Sequence, residues 1–147
     1  MLLEKKKVCS IKKIIDFIVI NDEINNNYKD IECNYSNNKY SFKIEEDIFN
    51  IAVENKKVLF IKENNNSILK LELIGNKKTE GTYYIKKLDS IIDVKVESIN
   101  QILSNEKIEV TYKLWLQDEY TGEFCFKLLL KEWKNGRHKE RVIYFIK

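Results

Sequence analysis

The sequence predicts a mainly β protein, a single antiparallel domain folded as a sandwich or as a barrel of about 8–10 strands. From residue 28 onward, β-rich runs alternate with short polar turns, and no helical crossovers of the kind found in βαβ folds separate them. The length of 147 residues suits one domain with one core. We therefore expect residues 1–147 to form one domain, with residues 1–10 as a flexible extension.

The expected strands are short runs rich in β-branched and aromatic residues. Polar sequences such as SNNK, ENKK and GNKK separate the runs and carry turn-forming residues. In chain order the runs are residues 28–35, 40–44, 48–53, 58–63, 67–74, 79–87, 91–99, 107–118, 123–133 and 137–146.

The first apolar segment, IKKIIDFIVI, fits two structures. Ile11, Ile14, Ile15, Ile18 and Val19 recur with helical spacing, which allows a short N-terminal helix. The same residues are β-branched and no capping sequence precedes them, which favours a strand over residues 14–20. We therefore expect a strand and keep the short helix as the alternative.

The dipeptide Asn135-Gly136 predicts a two-residue hairpin turn near the C-terminus. This turn would align Phe126 with Phe145, so that the last run pairs with the run before it. The single histidine, His138, and both arginines then lie on or near the hairpin tip. A structural role therefore accounts for this cluster.

A second hairpin is expected between the runs 107–118 and 123–133. Gly122 would end a loop at residues 119–121, and the two runs would then bury one apolar face. The predicted pairs are Leu116 with Phe124, Leu114 with Phe126, Tyr112 with Leu128 and Val110 with Leu130 inside, and Lys113 with Lys127 and Trp115 with Cys125 outside.

Over residues 30–132 the chain resembles the YwiB-like family of small bacterial proteins. The resemblance rests on IECNYSNNKYSFKIEED, VENKKVLFIKENNNSILKLEL, TYYIKKLDSIIDVKVESI and KIEVTYKLWLQDEYTGEFCFKLLL. It implies a calycin-like (lipocalin-like) meander barrel, and the family has no established activity to transfer. The chain departs from the family pattern at Asp89, where a glycine is expected, and in a C-terminal strand from His138 to Ile146 that extends past the usual end of the family. The Gly-x-Trp signature of lipocalins is absent.

Composition and charge argue against several classes of function. The net charge is +3, with 26 basic and 23 acidic residues mixed along the chain, so we expect no nucleic-acid partner. The three cysteines are far apart in sequence, so we expect no metal site and a reduced, cytoplasmic protein. No apolar run is long enough to span a membrane, so we expect no membrane partner. No cofactor motif is present, so we expect no cofactor.

The sequence gives little support for an enzyme. It contains no nucleophile-elbow, P-loop or zinc-protease motif. No carboxylate stands at a fixed spacing from His138 to orient it as a base. We therefore predict no catalytic residue, and a hydrolase or isomerase that uses His138 is the alternative.

The leading functional hypothesis is a barrel that binds an apolar or amphipathic small ligand in its interior. Strand alternation places Arg141 on the inner face of the barrel, where its charge would meet an anionic group of the ligand. The alternative is that the Arg141 side chain reaches solvent at the rim of the barrel. The expected ligand-binding residues are Tyr112, Leu114, Phe126, Leu128, Tyr84 and Arg141.

The competing hypothesis is a protein-interaction module with a filled barrel. Strict alternation places Trp115, Leu129 and Trp133 on the outer face, where an exposed apolar patch usually marks a contact surface. The first segment of the chain could cover this patch. A second copy of the chain, in a homodimer, or another protein could cover it instead.

Overall fold

Ten strands make up the part of the chain that the structure describes, residues 11–22 and 24–131 of a computed structural model. Each strand lies antiparallel to its neighbours. The described ranges contain no helix long and apolar enough to cross a membrane. The strands are β1 (Ile11–Asn21), β2 (Ile24–Ser36), β3 (Lys39–Ile44), β4 (Asp47–Glu54), β5 (Lys57–Glu63), β6 (Ser67–Ile74), β7 (Lys78–Ile85), β8 (Ser90–Leu103), β9 (Lys107–Leu116) and β10 (Glu119–Leu130).

The first and last of these strands pair with each other and close the sheet into a barrel. Phe17 of β1 lies opposite Leu128 of β10, and Val19 lies opposite Phe126. Closure pairs residues 15–21 of β1 with residues 124–130 of β10, and this pairing satisfies backbone hydrogen bonds that an open sheet edge would leave free. The prediction of a mainly β antiparallel meander barrel is confirmed. The first apolar segment is a strand, as expected, and the short-helix alternative is wrong.

Closure also uses the edge of β10 that was predicted to receive a C-terminal strand. From Phe124 to Leu128, β10 pairs with β9 on one side and with β1 on the other. Both edges of Phe126 are therefore occupied, and its predicted alignment with a later strand is wrong. The hairpin predicted around Asn135-Gly136 lies outside the described residues, as do residues 1–10.

The β9–β10 hairpin keeps the predicted faces but not the predicted register. Its turn is Gln117-Asp118, whose φ angles are 50° and 68°, instead of residues 119–121. Tyr112 therefore lies opposite Phe124, and Leu114 lies opposite Gly122. Each observed partner lies four residues before the predicted one, and because side chains alternate with a period of two, the same side chains stay inside.

Aromatic side chains fill the middle of the barrel. The ring of Phe17 lies 4.9 Å from the rings of both Phe42 and Phe49, and Phe60 lies 4.9 Å from Phe126. These separations are in the range in which aromatic pairs attract each other. The centre of the barrel is therefore a packed core.

Residues with left-handed backbone conformations shape several turns. Asn37, Asn38 and Asn55 have φ between 51° and 63°, a region that asparagine tolerates well. Asp89 also lies in this region, with φ of 49°, which explains why a glycine is expected there. The hydroxyl of Tyr84 donates to Asp89 Oδ1 at 2.7 Å, so the carboxylate holds the turn from outside.

Candidate functional site

One end of the barrel, which we call the mouth, carries the turns at residues 37–38, 55–56, 75–77 and 104–106. The start of β1 and the end of β10 lie at the same end, because consecutive hairpins of a meander alternate between the two ends. Inward-facing side chains near these turns therefore surround a common space.

A cavity of about 450 Å³ opens at the mouth. Small-molecule sites typically have volumes of roughly 300–1,000 Å³, and the mouths of β-barrels are among their preferred locations. The lining residues are Lys13, Tyr35, Asn38, Tyr40, Val53, Asn55, Leu103, Ser104, Asn105 and Ile108.

The accessible lining of the cavity is more polar than apolar, and the apolar part of its wall is aliphatic and aromatic. Tyr40 and Ile108 are buried, and Val53 and Leu103 are half-buried against the same core. The rings of Tyr35 and Tyr40 lie 4.7 Å apart with an interplanar angle of 48°. Such a wall would be stabilised by covering its apolar surface, at about 25 cal/mol per Å² removed from water.

Lys13 is the cation of the cavity. It lies opposite the buried Cys33, so it shares the inner face of β1 with Ile15 and Phe17. Its ammonium nitrogen lies 4.6 Å from the ring centroid of Tyr35, a cation–π geometry. Among the described residues, Lys13 has no carboxylate within ion-pair distance.

Polar side chains form the rim of the cavity. Asn38 and Asn55 lie in turns with φ of 63° and 57°. This turn geometry alone accounts for an asparagine at both positions, without a binding role. Tyr35 donates its hydroxyl hydrogen to Asn38 Oδ1 at 2.9 Å. Asn105 and Ser104 complete the rim, and no carboxylate occurs among the described residues that line the cavity.

Burial favours the neutral forms of the Tyr40 phenol and the Cys33 thiol beside the cavity. It raises the pKa of the Tyr40 phenol to about 12, with a smaller contribution from Tyr35. Burial likewise raises the pKa of the Cys33 thiol to about 11, although the positive charge of Lys13 acts in the opposite direction. Tyr40 therefore presents a protonated hydroxyl near neutral pH.

The residues predicted to bind a ligand are not gathered at this cavity. Tyr112, Leu114, Phe126 and Leu128 are buried inside the barrel. They belong to its packed core, and burial raises the pKa of Tyr112 strongly. None of the four is among the lining residues of the mouth cavity.

The two remaining predicted residues are not inside the described barrel. Tyr84 was expected on the inner face, but Tyr83 packs against the core there, opposite Leu69 and Ile92. Tyr84 faces outward, because adjacent residues of a strand point to opposite faces. Arg141 lies outside the described residues. The structure thus offers Lys13 as an inward-facing cation at the mouth.

The predicted interaction surface is divided between the two ends of the barrel. Trp115 lies opposite Tyr120, with their rings 5.4 Å apart, and lines an outer groove of about 380 Å³. Leu129 lies opposite Lys107, at the other end of β9. From the strand rise, Trp115 and Leu129 are roughly 26 Å apart. Trp133 lies outside the described residues.

Metal-ligand residues do not cluster in residues 11–22 and 24–131: no group of three or more histidine, cysteine or acidic side chains could hold an ion there. The cavity therefore offers one ammonium group, neutral hydrogen-bonding side chains and an apolar wall. Together, fold and cavity define a closed antiparallel β-barrel with a polar-rimmed cavity at one end.

Comparison with known proteins gives a fold likeness. The fold is similar to that in the crystal structure of the ywiB protein from Bacillus subtilis, with a TM-score of 0.50 and 11% sequence identity. The match covers 84% of this chain and 92% of that protein. No protein-family model matches the sequence, and no curated protein matches it significantly. The chain thus has a YwiB-like fold, which at this identity carries no information about activity.

Proposed function

We propose that the protein binds an amphipathic small molecule in the mouth cavity. The observation that carries this proposal is the cavity itself, about 450 Å³ of open space at one end of a barrel whose middle is packed. The apolar wall would cover the apolar body of the ligand. The polar rim would contact a group of the ligand that remains in contact with water.

The packed aromatic core limits where the ligand lies. Phe42 and Phe49 stack at 5.1 Å, and both contact Phe17, so the rings close the centre of the barrel. A ligand that enters at the mouth therefore stops above this layer. The buried side chains predicted to bind it, such as Phe126 and Leu128, would act as a rigid support for the cavity.

A distant common origin with the YwiB-like proteins belongs to the same proposal. It is supported by the fold likeness over 84% of the chain and by the strand pattern shared over residues 30–132. Such an origin would explain the shared barrel fold. The chemistry of the ligand is inferred from the residues that line the cavity of this chain.

A cavity-filling substitution tests the proposal. Leu103 lines the cavity, whereas its neighbour Ile102 is 38% exposed on the outer face. Leu103→Trp should therefore fill the cavity, and Ile102→Trp should add the same indole outside it. Suitable probes are 1-anilinonaphthalene-8-sulfonate and its uncharged counterpart N-phenyl-1-naphthylamine, whose fluorescence rises when they enter an apolar site.

The expected result is saturable binding of at least one probe to the wild-type protein and to Ile102→Trp, and weak binding to Leu103→Trp. Thermal unfolding of each variant checks that it is folded. If neither probe binds the wild type, or if Leu103→Trp binds as the wild type does, the proposed function is wrong.

A further inference from the structure

The barrel carries an inward-facing lysine near each end, and the two lysines differ in what surrounds them. Lys62 lies opposite the buried Phe49, so it faces inward near the end remote from the mouth. Its ammonium nitrogen lies 3.9 Å from Asp47 Oδ2, and its side chain is 42% exposed. The charge of Lys62 is thus balanced by a carboxylate and by solvent.

Lys13, in contrast, is balanced by an aromatic ring. Within the described ranges it makes no ion pair, and its ammonium group lies over Tyr35 inside the cavity. Its neighbour Lys12 faces outward and lies 3.7 Å from Glu32 Oε1. Of these three lysines, Lys13 is the one that faces the mouth cavity, and it makes no ion pair with another described residue. Outward-facing lysines such as Lys43 and Lys70 make none among the described residues either, so its position in the cavity is what distinguishes it.

The groups around Lys13 are suited to an anion. The cavity lining contains three asparagine amides and the phenol of Tyr40, all of which can donate hydrogen bonds, whereas the hydroxyl of Tyr35 already donates to Asn38. The Tyr40 hydroxyl is a donor near neutral pH, as an ordinary tyrosine hydroxyl is, and burial raises its pKa further, to about 12. A carboxylate in the lining would repel an anion, and the described lining has none.

We infer that the mouth cavity selects compact anionic ligands, with Lys13 as the residue that binds the anionic group and the apolar wall as the site of a flat or short apolar body. This inference rests on the proposed function, because it assigns the ligand class of the same cavity. The packed phenylalanine layer excludes a long alkyl chain from the centre of the barrel. A carboxylate, a sulfonate or a phosphate monoester would meet the same donors.

The matched probes used for the cavity separate charge from apolar contact, because N-phenyl-1-naphthylamine lacks only the sulfonate. The wild type should bind the sulfonate probe about tenfold more tightly, since a hydrogen bond to a charged group is worth at least that factor, equivalent to about 1.4 kcal/mol. Lys13→Met should lose this preference while still binding the uncharged probe. Lys13→Arg should retain the preference, and so should Lys12→Met, because Lys12 points away from the cavity.

A salt titration of the wild type gives a second measurement that needs no substitution. Added KCl should weaken binding of the sulfonate probe and leave binding of the uncharged probe nearly unchanged, because salt screens only the charged interaction. Equal affinities for the two probes, or an unchanged preference in Lys13→Met, would overturn the anion inference while leaving the cavity proposal intact. If neither probe binds the wild-type protein, the proposed function itself is contradicted.

Discussion

Gly81 of β7 lies so close to the carbonyl oxygen of Lys70 in β6 that no Cβ would fit between them. The atom in the way is backbone, so it cannot rotate aside as the end of a side chain would. The same stretch of β7 pairs with β8, since Gly81 lies opposite Val94. A methyl group at this position would therefore separate two strands that are both part of the barrel wall.

We expect Gly81→Ala to lower the free energy of unfolding by about 3 kcal/mol, the upper part of the usual range for overpacking. Gly75→Ala is the matched control, because a Cβ there would meet only the side chain of Gln101, whose nearest atom, Oε1, would lie at 3.2 Å. That variant should remain within about 1 kcal/mol of the wild type. Urea unfolding followed by circular dichroism measures both, and equal losses would contradict the close approach at Gly81.

The turn held by Asp89 gives a second prediction. Asp89→Ala should cost about 1 kcal/mol in unfolding free energy, because alanine is strained at a φ of 49° whereas aspartate and asparagine tolerate it. Asp89→Asn should cost less, since asparagine accepts the left-handed conformation and still offers an oxygen to Tyr84. Urea unfolding distinguishes these outcomes, and an alanine variant as stable as the asparagine variant would contradict the backbone argument.

Spectrophotometric titration of the tyrosines tests the hydrogen bond in the same turn. The bond from Tyr84 to Asp89 raises the pKa of the phenol, because the carboxylate accepts the proton that ionisation would remove. In Asp89→Ala, a phenol should therefore ionise at lower pH than in the wild type. Tyr84→Phe identifies which phenol shifts, and an unchanged titration curve would show that the bond does not form in solution.

The buried thiol of Cys33 predicts how stability depends on pH. Its pKa rises from 9.0 to about 11 on folding, mainly because of burial. The folded protein therefore holds a proton that the unfolded chain loses, so this contribution to stability is complete below pH 9.0 and is lost as pH rises through about 11. Tyr40 acts in the same direction, with a folded pKa of about 12. Cys33→Ala should thus reduce the fall in stability over this range without abolishing it.

Urea unfolding of the wild type and Cys33→Ala, near pH 9.0 and again near pH 11, measures the difference. Alkylation with iodoacetamide gives an independent check. Cys33 is 1% exposed and Cys125 is half-buried, so peptide mass spectrometry of the native protein should find Cys125 modified before Cys33. Rapid alkylation of Cys33 without urea would contradict its burial.

Strand runs and their faces could be predicted from the sequence because they depend on local alternation. Val110, Tyr112 and Leu114 are inside, as their alternation indicates. Barrel closure could not be predicted in this way, because the pairing of Phe17 with Leu128 depends on the registers of all the hairpins between them. The face of Tyr84 was predicted wrongly because Tyr83 and Tyr84 are adjacent and both suit a strand.

The cavity cation was missed for a related reason. Alternation from Ile15 and Phe17 would have placed Lys13 inside, but the strand was expected to start at residue 14, and the helical alternative left the face of Lys13 undefined. Arg141 was considered instead because its predicted partner strand gave it an inward face. The asparagines of the rim were recognised as turn residues, and nothing in a turn sequence indicates which turns surround a common space.

The register of the β9–β10 hairpin shows the limit of turn prediction and gives the last prediction. The sequence predicts that Gly122 ends the loop, yet Gly122 lies within β10 beside a register shift, with φ of 148°. Gln117 and Asp118 instead adopt the left-handed conformations that favour glycine. As a consequence Lys113 lies opposite Glu123, and not opposite Lys127 as the predicted register required.

A double-mutant cycle between Lys113→Gln and Glu123→Gln at low salt should give a favourable coupling of about 0.2–1 kcal/mol in unfolding free energy. The matched cycle between Lys113→Gln and Lys127→Gln should give a coupling near zero, because those side chains are not opposed. A repulsive coupling between the two lysines would instead support the register predicted from the sequence.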